Sequence, residues 1–190
     1  MGPPAPDLAP ALERRQAAGL VAGLAGFGER ACSRGGEASG PNPTDRGKSG
    51  TKRHVLVERT GLPLAVRLSA ANVNDGQMLT TTLDAVPPIR GRRGRPRKRP
   101  EKLHADKAYD YPTYRRACRR RGITPRIARK GIESSQRLGR YRWVVERTLS
   151  WLNRFRRLKV RYERRADIHQ AFLSLGCSLI CWQALQKAFC

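Results

Sequence analysis

Residues 51–190 must fold around an unusual excess of cations. The chain of 190 residues carries 39 Lys and Arg against 15 Asp and Glu, a formal charge of +24. Residues 1–50 hold six basic and five acidic side chains, which leaves 33 and 10, a balance of +23, for the remainder. Any core there must be built from short apolar segments that keep the cations at the surface or paired, because an unpaired buried charge is prohibitively unfavourable. Such an excess also repels itself and draws polyanions, so nucleic acid is the first partner to consider and a neutral metabolite the last. Of the basic residues, 31 are Arg and eight Lys. Arginine forks suit phosphate and guanine edges, although GC-rich coding accounts equally for the ratio.

The five cysteines, Cys32, Cys118, Cys177, Cys181 and Cys190, form no CxxC pair, and no histidine stands at zinc-finger spacing. Core or surface thiols of a cytoplasmic protein are expected. Met1–Pro10 lacks signal-peptide character, and the most apolar stretch, 171–185, is broken by polar residues and reads as too short for a membrane span.

Residues 1–50 read as a poorly ordered Ala/Gly/Pro-rich segment, with a short helix over 8–24 and breaker residues over 23–50. Residues 51–190 read as one domain. A hairpin is expected from 54–57 and 62–68, a helix over 77–86, and an exposed basic loop at 88–100, where Arg90–Arg99 holds seven basic residues in ten. A strand over 102–105 ends at Asp106, followed by a basic helix over 111–121, a strand over 123–128 and helices over 136–155 and 167–189. In the last helix Ile168, Phe172, Leu175, Leu179, Trp182 and Phe189 share one face, expected to pack on the core. The order of elements predicts an α/β fold.

Two carboxylates stand out. Asp106 closes a strand, where ligands of open α/β sheets sit. Glu146 lies on the border of an apolar arc formed by Val144, Val145, Thr148, Leu149, Trp151, Leu152 and Phe155, beside Arg142 and Asn153. On spacing alone an i, i+4 ion pair with Arg142 is the favoured reading of Glu146, ahead of a catalytic role. Phosphodiester chemistry commonly uses divalent ions held by carboxylates, and in so basic a chain these two form the natural pair.

Several runs in order carry a resemblance: Arg34-Gly35-Gly36-Glu37, Gly40 to Lys48, Leu64 to Leu68, Asn72-Val73-Asn74-Asp75, Lys102 to Asp110, Gly122 to Ala128, Arg142 to Thr148, and Arg161-Tyr162-Glu163-Arg164-Arg165. Over 34–185 the chain resembles the DDE transposases of small bacterial insertion sequences. The resemblance implies a ribonuclease H-like mixed sheet flanked by helices. It also implies Mg2+ or Mn2+ as cofactor, and transposition by metal-dependent cleavage and strand transfer. Asp106 and Glu146 correspond to the second and third catalytic, metal-holding acids, and Arg142 to the arginine four residues earlier. The family's first aspartate has no counterpart in Leu24–Ala31. The expected fold is therefore incomplete, its first strand missing or degenerate through truncation or frame disruption, and its activity impaired.

The DNA partners implied are terminal inverted repeats and target DNA, contacted through Arg92, Arg93, Arg95, Arg97, Lys98, Lys107, Arg142 and Arg147. Arg93-Gly94-Arg95-Pro96 also resembles an AT-hook contact. A homo-oligomer, no membrane, and a bacterial cytoplasmic, nucleoid-associated setting complete the expectation. The alternative is a non-catalytic basic DNA-binding protein or remnant.

Overall fold

Alternating apolar residues build a mixed sheet with helices on both faces. The computed structural model describes residues 21–31, 35–89, 95–129, 131 and 135–189, and the side chains within them outside 21–31, 135–142 and 188–189. The strands are β1 (Val21–Ala31), β2 (Gly40–Pro41), β3 (Ser49–Val57), β4 (Pro63–Ala70), β5 (Lys102–Ala105) and β6 (Thr124–Ile127). They order as β2-β3-β1-β5-β6, with β4 also paired to β3. Strand β3 runs antiparallel to both β1 and β4, and β5 and β6 add in parallel to β1.

The expected hairpin is β3–β4, with Val55 opposite Val66 and Leu56 opposite Ala65. Gly61 closes its turn at φ 95°, a left-handed conformation that favours glycine. Because neighbouring strand residues point to opposite faces, Leu56 and Val55 enter different cores. Leu56, Leu103 and Ala105 pack with Leu79 and Leu83 of α1 (Met78–Asp84), Cys118 of α2 (Pro112–Arg120), Tyr109 and Ile123. Val55, Val57 and Val66 pack with Val145, Leu149 and Leu152 of α3 (Ser135–Asn153), Leu158 of α4 (Arg156–Lys159), and Leu173 and Ile180 of α5 (Ala166–Phe189). The result is a mixed sheet flanked by helices on both faces, as expected.

Several expectations change. The first strand is in place as β1, between β3 and β5, so it is degenerate in sequence and not missing. Its run Val21-Ala22-Gly23-Leu24-Ala25-Gly26 has weak intrinsic strand preference, but pairing along both edges overrides propensity. The helix expected over 8–24 lies outside the described residues up to 20, and Val21–Leu24 are strand. The boundary expected at residue 50 falls inside β3, and the breaker-rich run 23–50 supplies β2 and most of β1.

The last helix is rotated from expectation. Leu173 and Ile180 are buried, whereas Ile168, Leu175, Leu179 and Trp182, expected in the core, are exposed. Phe172 is half-buried, and the side chain of Phe189 lies outside the description. Within Ala166–Lys187 an 18-residue window has mean hydropathy 1.2, so the helix is long and apolar enough to cross a membrane by length and composition alone. That corrects the reading of 171–185 as too short. The helix lies along β4, α3 and α4.

A buried arginine joins the Glu37–Ala38 segment to the residues that lead into α5. Arg161 is fully buried, and its five N–H groups meet acceptors: Nε the Glu163 carbonyl (2.9 Å), one terminal nitrogen the Ala38 carbonyl (3.3 Å) and Thr51 Oγ1 (2.8 Å), the other the Glu37 (2.6 Å) and Arg164 (3.2 Å) carbonyls. Glu37 N also donates to the Arg164 carbonyl at 3.0 Å, and Glu37 Oε2 accepts from Ala166 N at the start of α5. A Cβ on Gly36 would stand 2.3 Å from the Arg164 carbonyl oxygen, at a φ of +131°. The Gly35-Gly36-Glu37 and Arg161–Arg165 runs are thus two halves of one clasp.

Candidate metal and nucleic-acid site

Asp106 stands where the buried strand Leu103–Ala105 leaves the sheet. Its backbone is extended, and Oδ1 accepts from Lys107 N at 2.6 Å, capping the short turn Lys107–Tyr109. Tyr109 is buried and its N–H donates to the Asp106 carbonyl at 3.0 Å. Further on, Arg115 holds Asp110 (2.7 Å) and the Ile127 carbonyl (2.7 Å), tying this loop to β6. A second turn, Asp75–Gln77, packs against the Lys107–Tyr109 turn, its entry capped by Asn74 and Asp75 paired with Lys52 at 3.3 Å. The Asp106 carboxylate is therefore fixed at the carboxyl end of a parallel strand, half-exposed and backed by packed turns.

Glu146 is exposed on α3, next to buried Val145 and Thr148. The middle of this helix is pinned to the β3–β4 turn. Thr148 Oγ1 donates to the Gly61 carbonyl at 2.6 Å, and Arg147 donates to the Thr60 carbonyl. The Arg147 guanidinium also lies 4.4 Å from the ring centre of Trp143 and 4.9 Å from that of Trp151. Helix α3 packs on β1 and β3. Strand β1 is therefore the common neighbour of the strand that ends in Asp106 and the helix that carries Glu146.

The strand beside Asp106 brings no acid level with it. In the parallel ladder Leu24 pairs with Ala105, so Ala25 comes level with Asp106. No Asp or Glu occurs from Val21 to Gly28. Among the described residues no group of three or more His, Cys, Asp or Glu side chains could hold a metal ion. Two carboxylate oxygens of the hard type suit one Mg2+ or Mn2+ ion, while a two-ion centre asks for more ligands.

The expected cationic contacts divide. Arg95, Arg97 and Lys98 are exposed, and Ile89 and Arg97 exchange two backbone hydrogen bonds of 2.8 Å that close the basic loop. Arg92, Arg93 and the Arg142 side chain lie outside the description. Lys107 is half-buried beside Asp106. Arg147 is committed to the turn and to two tryptophans. On α2 the sequence's block of arginines separates by role: Arg115 and Arg121 are taken by Asp110 and Asp84, whereas Arg116, Arg119 and Arg120 are exposed. The i, i+3, i+4 spacing of the outward three was legible in the sequence; which arginines are held inward was not.

Residues 27–181 match the family model described as Transposase DDE domain. Over 150 residues the chain is 56 % identical to a Burkholderia cepacia protein named as a transposase for insertion sequence element IS402, covering 79 % of this chain and 71 % of that protein. Among solved structures it is similar to the catalytic core domain of BIV integrase, with a TM-score of 0.46 and 14 % identity over 84 % of this chain and 82 % of that one. The family match runs from Phe27, within β1, through most of α5 and includes both Asp106 and Glu146. The chain belongs to the DDE transposases of insertion sequences.

Proposed function

We propose that this chain keeps the DNA-binding surface and two of the three acidic positions of an insertion-sequence transposase, and that its cleavage and strand transfer are impaired. The observation that carries this reading is the β1–β5 register, which sets Ala25, and no carboxylate, level with Asp106.

Asp106 and Glu146 would hold one divalent ion. Such an ion, when bound, polarises a phosphoryl oxygen and makes water a better nucleophile. The chain's own contribution is positional. The backbone donor at Lys107 fixes one Asp106 oxygen, the turn contacts of Thr148 and Arg147 fix the helix carrying Glu146, and Lys107 sets a cation beside Asp106. Exposed Arg95, Arg97, Lys98, Arg116, Arg119 and Arg120 supply phosphate contacts. The substrates of this reading are terminal inverted repeats and target DNA, and its setting is the bacterial nucleoid.

The test combines ion binding and cleavage on the full chain. Mn2+ binding read by electron paramagnetic resonance should weaken in Asp106→Asn and in Glu146→Gln, while DNA affinity changes little. Mg2+-dependent nicking of DNA carrying the terminal repeats should be marginal in the unsubstituted chain. Robust nicking abolished by Asp106→Ala overturns the impairment, and ion binding indifferent to both substitutions overturns the metal site.

A further inference from the structure

Residues 154–165 hold seven Lys and Arg against one acid, Glu163, and the fold sorts them by role. Leu158, Arg161 and Glu163 are buried, whereas Arg154, Arg156, Arg157, Lys159, Arg164 and Arg165 are exposed. The backbone beneath the exposed cations is pinned at both ends. Buried Arg53 donates to the Asn153 side chain at 2.7 Å and to the Leu158 carbonyl at 3.4 Å, and Arg161 holds the Arg164 carbonyl through the clasp. Arg157 ties α4 to the following turn, 3.0 Å from Glu163 and 6.0 Å from the ring centre of exposed Tyr162. Arg165 is matched by Asp167 at 2.5 Å. Arg154, Arg156, Lys159 and Arg164 have no carboxylate partner among the described residues.

Unmatched cations on a fixed backbone concentrate positive potential and select a polyanion. Arginine forks suit phosphate oxygens. A lipid surface would ask for apolar side chains projecting among the cations, but within this stretch Leu158 is buried and Phe155 and Val160 are half-buried. The patch is also separate from the outward arginines of α2. Helix α2 packs with Leu56 and Leu103 on one face of the sheet, and α4 packs with Val55 and Val66 on the other. Duplex DNA is stiff over about 150 base pairs, so one short duplex does not bend round the sheet to meet both. We infer that the α4 face is a second duplex-binding surface, so that one copy of this chain holds two DNA segments on opposite faces of its sheet. The inference rests on the reading of α2 and the basic loop as the first surface.

Titrating the nuclease-treated full chain with a labelled duplex of about two helical turns, read by sedimentation, counts duplexes per chain, a ratio that self-association leaves unchanged. Saturation near two is expected. Replacing Arg154, Arg156, Lys159 and Arg164 together by Gln should lower the count to one with the circular-dichroism melt unchanged. Arg156→Glu combined with Lys159→Glu should do the same, and serves if the fourfold variant folds poorly. In a chain whose Arg116, Arg119 and Arg120 are Gln, the remaining duplex reports the α4 face alone. Its slope of log affinity against log salt should flatten by about 3.5 when the four cations are lost. Saturation at one duplex per chain, or a count indifferent to both α4 variants, overturns the second surface. So does tighter binding of phosphatidylserine vesicles than of duplex in the α2 variant. Mn2+ binding at Asp106 and Glu146 is read separately, so failure here leaves the metal reading standing.

Discussion

Leu24 pairs with Ala105 in the parallel β1–β5 ladder, so Ala25 comes level with Asp106 at the end of the next strand. Continuing that register makes position 25 the place on β1 at which to test a third carboxylate beside Asp106. Ala25→Asp should therefore raise Mg2+-dependent nicking of terminal-repeat DNA above the level of the unsubstituted chain, and adding Asp106→Ala should remove the gain. Equal nicking with and without the new aspartate would show that the missing acid is not what limits the reaction.

Arg161 makes five hydrogen bonds from a fully buried position. Lysine keeps the charge but cannot reproduce the planar fork, and it leaves several buried carbonyls unsatisfied. Arg161→Lys should lower the unfolding free energy in urea by about 3 kcal/mol. Gly36→Ala, which drives a Cβ into the Arg164 carbonyl, should destabilise the same clasp. A loss below about 0.5 kcal/mol in both variants would remove the clasp from the account of stability.

Burial first, and then the charge of Lys52, pushes His54 down from 6.5 to about 4. The unfolded chain takes up this proton below pH 6.5 and the folded chain only near pH 4, so the associated stability is complete above 6.5 and is lost as pH falls toward 4. That difference corresponds to about 3 kcal/mol. Burial also lowers His169, against the opposing pull of Glu163, so it adds a loss of the same sign. Urea denaturation across this window should show His54→Gln with a shallower pH dependence than the unsubstituted chain; parallel profiles would contradict the assignment.

Arg147 and the outward arginines of α2 should separate by phenotype. Replacing Arg116, Arg119 and Arg120 by Gln removes up to three phosphate contacts, which should flatten the slope of log affinity against log salt by about 3. Arg147→Ala loses the Thr60 carbonyl and both tryptophan faces. It should lower thermal stability and leave the salt slope near its original value. Fluorescence anisotropy with duplex DNA at several salt concentrations, alongside thermal melts, reads both.

Much of this architecture is written locally. The hairpin of β3 and β4 follows from two β-rich runs around a Gly61 turn, and Asp106 is marked by an apolar strand that stops at a carboxylate. Glu146 sits on the border that helical periodicity assigns it, and the order of motifs carries the family. Those features depend on neighbours a few residues away, which periodicity and turn chemistry report.

Other features depend on partners far along the chain. A Gly- and Ala-rich run becomes β1 because β3 and β5 hydrogen-bond both its edges, a condition that no local propensity contains. Arg161 reads as one more surface cation until the Glu37 segment, more than 120 residues away, supplies its acceptors. Helix α5 has two apolar faces of nearly equal claim, so its sequence could not say which turns inward; Gly176 against Leu158 and the fit of Leu173 and Ile180 on the sheet decided it. The sequence determined the charge, the family and the two acidic positions, because these are properties of residue order. Only the tertiary structure decided that Ala25 comes level with Asp106, since strand register is set by pairing between distant segments.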